Sequence, residues 1–159
     1  MSVTLSPMPE SRMPDWLRRS ADEYARDLIA IGRPEADAHR AAAESMAQSF
    51  PDGQPAIGHA VFDVLEDGRA AGYLWIGPSG ADDPGAWWVW DIVIDEDCRG
   101  RGLGRAAMLL GEEFALANGA HTMGLSVFAF NTGARRLYES LGFETITLKM
   151  SKPLGARTT

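Results

Sequence analysis

The sequence contains one cysteine, Cys98, so no disulfide can form within the chain. Its three histidines (His39, His59 and His121) are scattered rather than set at metal-ligand spacing, and we expect no metal site. No apolar run approaches the roughly 20 residues that a membrane-spanning helix needs, and the first ten residues lack the pattern of a secretory signal. These absences predict a cytoplasmic protein with no membrane partner.

Basic residues are outnumbered by acidic ones. The 15 Lys and Arg against 22 Asp and Glu give a formal net charge of −7. Surfaces that bind nucleic acids hold phosphates with clustered Lys and Arg, so we expect no nucleic-acid partner. A cationic, amine-bearing partner fits an acidic protein better.

Length and periodicity predict one mixed α/β domain over residues 1–159, because 159 residues with 45% apolar content suffice for one core but not for two. Residues 2–5 are a candidate edge strand, and the tail at 153–159 is expected to be flexible. Helical spacing, strand alternation and turn residues predict the remaining elements in this order: helices 14–31 and 34–50 as a hairpin, strands 59–66 and 69–76 around an Asp-Gly turn, strand 86–95, helix 102–118, strand 122–130, helix 133–141 and strand 143–151.

The segment RGRGLG, residues 99–104, lies between a predicted strand and a predicted amphipathic helix. Glycines let a backbone approach a ligand closely, and the N–H groups of a helix start favour anions. The alternative is a tight turn with a solvated basic edge, and the loop alone leaves the two interpretations about equal. The candidate anion-binding residues are Arg99, Gly100, Arg101, Gly102, Leu103, Gly104 and Arg105.

The same loop also fits the G-x-G-x-x-A pattern of dinucleotide-binding folds, from Gly102 to Ala107. That pattern requires an acid about 20 residues further on to hold a ribose hydroxyl. The corresponding sequence, MGLSVFAF, contains none. No Gly-Lys-Ser or Gly-Lys-Thr follows the glycines, which excludes a P-loop as well.

A second motif, LSVFAFNTGARRLYESLGF, occupies residues 125–143. Together with the glycine loop it resembles the two hallmark motifs of the GNAT superfamily of acetyl-CoA-dependent N-acetyltransferases, over about residues 57–152. The resemblance implies a central mixed, mostly antiparallel sheet with a splayed parallel strand pair, flanked by helices. It also implies that the loop cradles the coenzyme pyrophosphate and that the helical hairpin, about 14–50, shapes the acceptor side.

The resemblance implies roles for further residues. Tyr138 takes the place of the general acid, and a phenol with a reference pKa near 10 is protonated at pH 7 while the coenzyme leaves as a thiolate. Asn131 takes a coenzyme-binding place. The peptide groups of Ile92, Val93 and Ile94 would pair with the pantetheine arm, although an ordinary, fully paired central strand is the alternative.

An acceptor amine must lose a proton before it attacks. A lysine-like amine with a pKa near 10.4 is neutral in only about one molecule in 2,500 at pH 7, so a base helps greatly. Asp91 is the candidate base, because Trp88 and Trp90 could limit its solvation and raise its pKa. A backbone-bonded or cation-attracting acid is an equally supported interpretation.

The sequence therefore predicts an enzyme that moves acetyl from acetyl-CoA to a primary amine of a small molecule or peptide, by direct attack in a ternary complex. Two alternatives stay open: an acyl-CoA-binding sensor without turnover, and a protein or peptide N-terminal acetyltransferase. A homodimer is a possible assembly. Cys98 is interpreted as a packing residue, while His59 and His121 are expected at the surface or at strand edges.

Overall fold

The computed structural model describes residues 1–80 and 82–155. Its sheet has the order β1-β2-β3-β4-β5, in which β4 and β5 are parallel and the other pairs antiparallel. The strands are β1 (Val3–Pro7), β2 (Ala60–Glu66), β3 (Arg69–Pro78), β4 (Ala86–Ile94) and β5 (Thr122–Leu125). The helices are α1 (Met13–Ala30), α2 (Glu35–Ser49), α3 (Leu103–Ala117) and α4 (Thr132–Ser140), with 3₁₀ turns at Glu10–Arg12, Pro51–Gly53 and Glu96–Cys98. The mixed sheet flanked by helices confirms the expected fold class.

The hairpin between β2 and β3 follows from its turn residues. Asp67 and Gly68 have φ values of 50° and 83°. Two consecutive residues with positive φ form a primed turn, whose twist matches that of the strands on either side. The turn thus fixes the antiparallel register that begins at Glu66 and Arg69.

The parallel pair β4 and β5 is joined over only part of its length. Residues 86–89 of β4 pair with Thr122–Leu125, the whole of β5. β4 then continues to Ile94, whereas β5 has already ended. The sheet is therefore open beside the second half of β4, as expected for a splayed pair.

Each face of the sheet supports its own apolar core. On one face, buried side chains of β2, β3 and β4 pack with α3; this core includes Leu74, Ile76, Trp87 and Met108. On the other face, α1 contributes Met13 and Trp16 to a second core, which also contains Phe50, Tyr73 and Trp75. Smaller contacts join α1 to α2 through Ala25, Leu28, Ala38 and Ala42, and these form the predicted helical hairpin.

Two strand predictions were wrong at the C-terminal end. The strand expected over 122–130 ends at Leu125, because β4 diverges there and the next residues find no ladder partner. The strand expected over 143–151 does not form, although its side chains alternate as in a strand, because its described residues beyond Phe143 form no backbone hydrogen bond with another described segment. Of the predicted flexible tail, residues 156–159 lie outside the described part.

Among the described helices, none is long and apolar enough to cross a membrane.

Candidate active site

The glycine loop joins β4 to α3. Gly100 and Gly102 both have a φ of 80°, in the left-handed region that favours glycine. Gly102 is the N-cap of α3, and no side chain caps this helix. As a result, the N–H groups of residues 100–105 donate to no other group in the described part of the chain. Adjacent free donors at the positive end of a helix dipole make this loop suited to an anion.

The arginines around the loop already have partners. Arg99 Nε donates to the carbonyl oxygen of Ile94 at 2.9 Å, Arg101 forms an ion pair with Glu66 at 2.9 Å, and Arg105 donates to Ser140 Oγ at 2.9 Å. These contacts tie the loop to β2, β4 and α4. Because a guanidinium has five N–H groups, each arginine keeps further donors, which add to the backbone N–H groups of residues 100–105.

Cys98 precedes the loop, and its Sγ lies 3.6 Å from Asp97 Oδ1. Partial desolvation and the neighbouring Asp97 carboxylate raise the pKa of the thiol. A thiol with a raised pKa is a poor nucleophile because only the thiolate attacks. The environment therefore agrees with a packing residue rather than a catalytic one.

Gly104 brings three elements together at the start of α3. A Cβ on this residue would lie 3.3 Å from Leu137 Cδ2 of α4 and 3.8 Å from Ile94 Cγ1 of β4. A larger side chain would push these neighbours away. The small residue thus places α4, which carries Tyr138, directly beside the anion-binding loop.

The second half of β4 presents peptide groups to the opening beside β5. Asp95 N–H donates to the carbonyl oxygen of Ala71 of β3, and alternate strand residues direct their peptide groups to opposite edges. The peptide group of Val93 therefore faces β3, whereas those of Ile92 and Ile94 face the opening. Among the three residues expected to meet the pantetheine arm, Ile92 and Ile94 direct their peptide groups away from β3. The Ile92 N–H also lowers the pKa of Asp91 through a hydrogen bond, and the Ile94 carbonyl accepts from Arg99.

Asn131 and Tyr138 lie at the start and near the end of α4. Asn131 is the N-cap, and its Oδ1 accepts from the N–H of Ala134 at 3.3 Å. Tyr138 is partly buried and packs edge-on against Phe143, with ring centroids 6.0 Å apart. The N-cap fixes where the helix begins, and thereby where the Tyr138 ring lies.

Asp91 lies in a hydrogen-bonded network that joins β4 to β3 and α1. Its Oδ2 accepts from Ser20 Oγ of α1 and from Tyr73 Oη of β3, both at 2.7 Å. Burial raises the pKa of Asp91, and these two hydrogen bonds oppose that shift because they stabilise the carboxylate. The pKa of Tyr73 is raised strongly by burial and by the charge of Asp91, so Tyr73 stays a donor.

Asp91 and Tyr138 are within electrostatic range of each other. The pKa of Tyr138 is raised above its ordinary value of 10.0, first by burial and second by the charge of Asp91. At neutral pH the phenol is therefore protonated, while Asp91 can carry a negative charge. Asp91 on β4 and Tyr138 on α4 thus belong to two of the elements that meet at the start of α3.

A family model described as the acetyltransferase (GNAT) family matches residues 14–143, which span the loop, the splayed strands and α4. The chain belongs to the GNAT family of acetyltransferases. It is thus an acyltransferase, and the resemblance based on the glycine loop and the second motif is confirmed.

Among similar proteins, the uncharacterized N-acetyltransferase YycN of Bacillus subtilis is 28% identical over 157 residues, covering 97% of this chain and 100% of YycN. The crystal structure of YycN superimposes with a TM-score of 0.88 at 26% identity, over 98% of this chain and 100% of that one. A mycothiol acetyltransferase of Thermomonospora curvata is 32% identical over 149 residues, which are 87% of this chain but 48% of the relative. The aminoglycoside acetyltransferase AAC(6')-Iy, solved with a bisubstrate analogue of coenzyme A, shares the fold with a TM-score of 0.61 at 20% identity and coverage of 98% and 100%.

Sequence reasoning missed the partners of Asp91 in this GNAT enzyme. Ser20 and Asp91 are 71 positions apart, so no local pattern connects them. One signal was available: Ser20 follows Trp16 by four residues, which places a polar residue on the apolar face of α1. A small polar residue at such a position commonly bonds a buried polar partner.

The expectation for His59 was only partly right. This residue does precede β2, but it is half-buried, and its Nδ1 accepts from Trp75 Nε1 at 2.9 Å. Burial lowers the pKa of the imidazole. Trp90 stacks on Trp75 at 5.7 Å, so the histidine belongs to an aromatic group next to Asp91. His121 is exposed, as expected.

Proposed function

We propose that this GNAT enzyme transfers an acetyl group from acetyl-CoA to a cationic primary amine. One observation carries the proposal: the free N–H groups of residues 100–105 lie beside the open edge of β4 and beside the helix that bears Tyr138. An anion-binding loop, an accessible peptide edge and a phenol donor suit the diphosphate, amide arm and sulfur of one elongated ligand.

The residues present fit acetyl-CoA in chemical type. The backbone donors of residues 100–105 would hold the pyrophosphate, and the peptide groups of Ile92 and Ile94 would hold the amide-bearing arm, with Val93 supporting them from the β3 side. Asn131 would contribute by fixing the start of α4. The coenzyme supplies the acetyl thioester, which an amine can attack directly.

In the proposed reaction, the amine nitrogen forms a bond to the acetyl carbon as the bond from that carbon to sulfur breaks. The ammonium first gives one proton to Asp91, directly or through water, so that the neutral amine attacks. The leaving thiolate receives one proton from Tyr138, and the second proton, which the nitrogen loses after the new bond forms, restores the Tyr138 phenol. Both groups suit these roles, because burial raises the pKa of Asp91 and makes it a stronger base, while the raised pKa of Tyr138 keeps the phenol protonated at neutral pH.

The charge around Asp91 supports a cationic acceptor. Glu23 and Asp27 of α1 are close enough to Asp91 to interact with it electrostatically. The charge of Glu23 contributes to raising the pKa of Asp91. The pKa of Asp27 is raised first by burial and then by the charges of Glu23 and Asp91. Glu23 is paired with Arg26 at 3.8 Å, which leaves Asp27 and Asp91 as the acids that would attract an ammonium ion. The relatives named for mycothiol further support a small-molecule acceptor.

Thiol release from acetyl-CoA in the presence of an amine panel tests this function. The panel contains aliphatic diamines, an aminoglycoside, a peptide with a free α-amine and the same peptide with that amine blocked. We expect thiol release with at least one small cationic amine, in equal amount to the acetylated product. Saturable coenzyme binding without turnover on any amine would support the sensor alternative, and turnover on the free peptide alone would support the N-terminal acetyltransferase.

The pH dependence of turnover tests the base. If Asp91 accepts the proton, kcat/KM falls as pH drops through its pKa. Tyr73→Phe removes one hydrogen bond to the carboxylate, so that the pKa of Asp91 rises and the acidic limb moves to higher pH by about one to two pH units, since a hydrogen bond to a charged group contributes about 1.5–3 kcal/mol. Ser20→Ala, which removes the other donor, shifts the limb in the same direction.

Asp91→Asn completes this series. It should abolish the acidic limb and lower kcat/KM, while acetyl-CoA binding is retained. A pH profile of Asp91→Asn that coincides with that of the wild type would eliminate Asp91 as the base, and it would leave the residue as an attractant for the cationic acceptor.

A further inference from the structure

The C-terminal segment 144–150 has the sequence of a strand but no strand partner. Ile146, Leu148 and Met150 alternate with polar residues, and their exposed fractions are 91%, 74% and 89%. The last backbone hydrogen bond of the described chain runs from Phe143 N–H to the carbonyl of Tyr138, and none reaches residues 144–155. An apolar strand face and a row of backbone groups are thus left in water.

The sheet lacks a partner strand at its β5 edge. β5 pairs with β4 along one edge only, and no strand of the described chain pairs with the other. Its residues Met123 and Leu125 are only partly buried, and α4, which follows in the chain, has no buried residue at all. An edge of this kind is a template for a further strand.

The surface area of the chain agrees with a missing contact. The chain exposes 10464 Å², whereas a compact monomer of 17.2 kDa exposes about 7,800 Å². The excess, about 2,700 Å², is larger than the roughly 800 Å² that each partner buries in an interface of standard size. Exposed apolar side chains of residues 146–154 are part of that excess.

We propose that a second copy of this chain covers this surface, and that each copy adds its segment 144–150 to the free β5 edge of the other. Each copy has a β5 edge that lacks a partner strand and a segment 144–150 that lacks a partner edge. A two-fold exchange of these segments gives both features a partner in both copies. A partner that supplies only a strand, or only an edge, would satisfy one of them. The segment begins after Phe143, which packs on the same core as Leu125 of β5. A two-fold axis near Phe143 therefore places the segment of each copy beside the β5 edge of the other.

The mass of the protein in solution and hydrogen exchange of its amides test the exchange. By light scattering at micromolar concentration we expect 34.4 kDa, which is twice 17.2 kDa, and slow exchange over residues 144–150. The variant Ile146→Lys/Leu148→Lys should run at 17.2 kDa with fast exchange in this segment. The matched control Thr145→Lys/Thr147→Lys carries the same charges on the polar face and should stay dimeric.

Three results would overturn the proposal. A monomeric wild type with slow exchange would mean that the segment pairs with its own sheet, and one with fast exchange would mean that it pairs with nothing. A dimer unaffected by Ile146→Lys/Leu148→Lys would mean that the copies meet elsewhere. The wild-type exchange measurement stands on its own if the variant fails to fold, and none of these readouts depends on acetyl-CoA turnover.

Discussion

Replacing Gly102 with alanine is expected to weaken acetyl-CoA binding by about tenfold or more. Gly102 has a φ of 80°, which costs an alanine about 1–2 kcal/mol. The loop can relieve that strain only by turning its N–H groups away from the diphosphate. Each hydrogen bond to a charged group contributes about 1.5–3 kcal/mol, and 1.4 kcal/mol corresponds to a factor of ten in affinity. Calorimetry with acetyl-CoA measures the effect.

Gly119 provides the matched control for this experiment. It lies beyond the other end of α3 with a φ of 91°, and a Cβ there, as at Gly102, would meet no atom within 4 Å. Gly119→Ala should therefore lose similar stability in urea denaturation and keep its affinity for the coenzyme. Equal affinities of Gly102→Ala and the wild type, or an equal loss in both variants, would contradict the assignment of the loop.

Tyr138→Phe is expected to lower kcat by about a hundredfold or more, the scale of general acid catalysis. The phenylalanine keeps the edge-on packing against Phe143 and removes only the hydroxyl, so acetyl-CoA affinity should change little. Steady-state kinetics with saturating acceptor separate the two quantities. Tyr24→Phe, on the exposed side of α1, is the control and should match the wild type. Equal turnover of Tyr138→Phe and the wild type would refute the general-acid role.

Sequence periodicity predicted the helices and the first four strands to within a few residues, because these elements carry their signals locally. The turn at Asp67-Gly68 is one such signal, since both residues tolerate positive φ. The glycine loop was located equally well, because its function depends on backbone conformation that only glycine adopts easily. Local patterns therefore suffice where local geometry decides the structure.

The predictions failed where a partner distant in sequence decides the structure. Residues 126–130 and 143–151 alternate like strands, but a strand forms only when another segment supplies ladder hydrogen bonds. The same holds for the contact of Ser20 with Asp91, which depends on how α1 packs on the sheet. The candidate general base was identified from its strand, whereas the groups that set its pKa were not.

The paired arginines change how the coenzyme site is understood. Arg99, Arg101 and Arg105, which the sequence marks as anion-binding candidates, are each bonded to a neighbouring element, and this contact holds the guanidinium in place while leaving further N–H groups to donate. The N–H groups of residues 100–105 are additional donors. The diphosphate is therefore expected to be held by main-chain N–H groups, whose positions the glycines determine, together with the remaining arginine donors.

Titration calorimetry of the wild-type protein with acetyl-CoA tests this account most directly, because every proposed step depends on that binding. We expect one saturable site per chain, with competition by coenzyme A and none by a nicotinamide dinucleotide. A titration without saturable heat, confirmed by the absence of any thermal stabilisation at millimolar acetyl-CoA, would contradict the account.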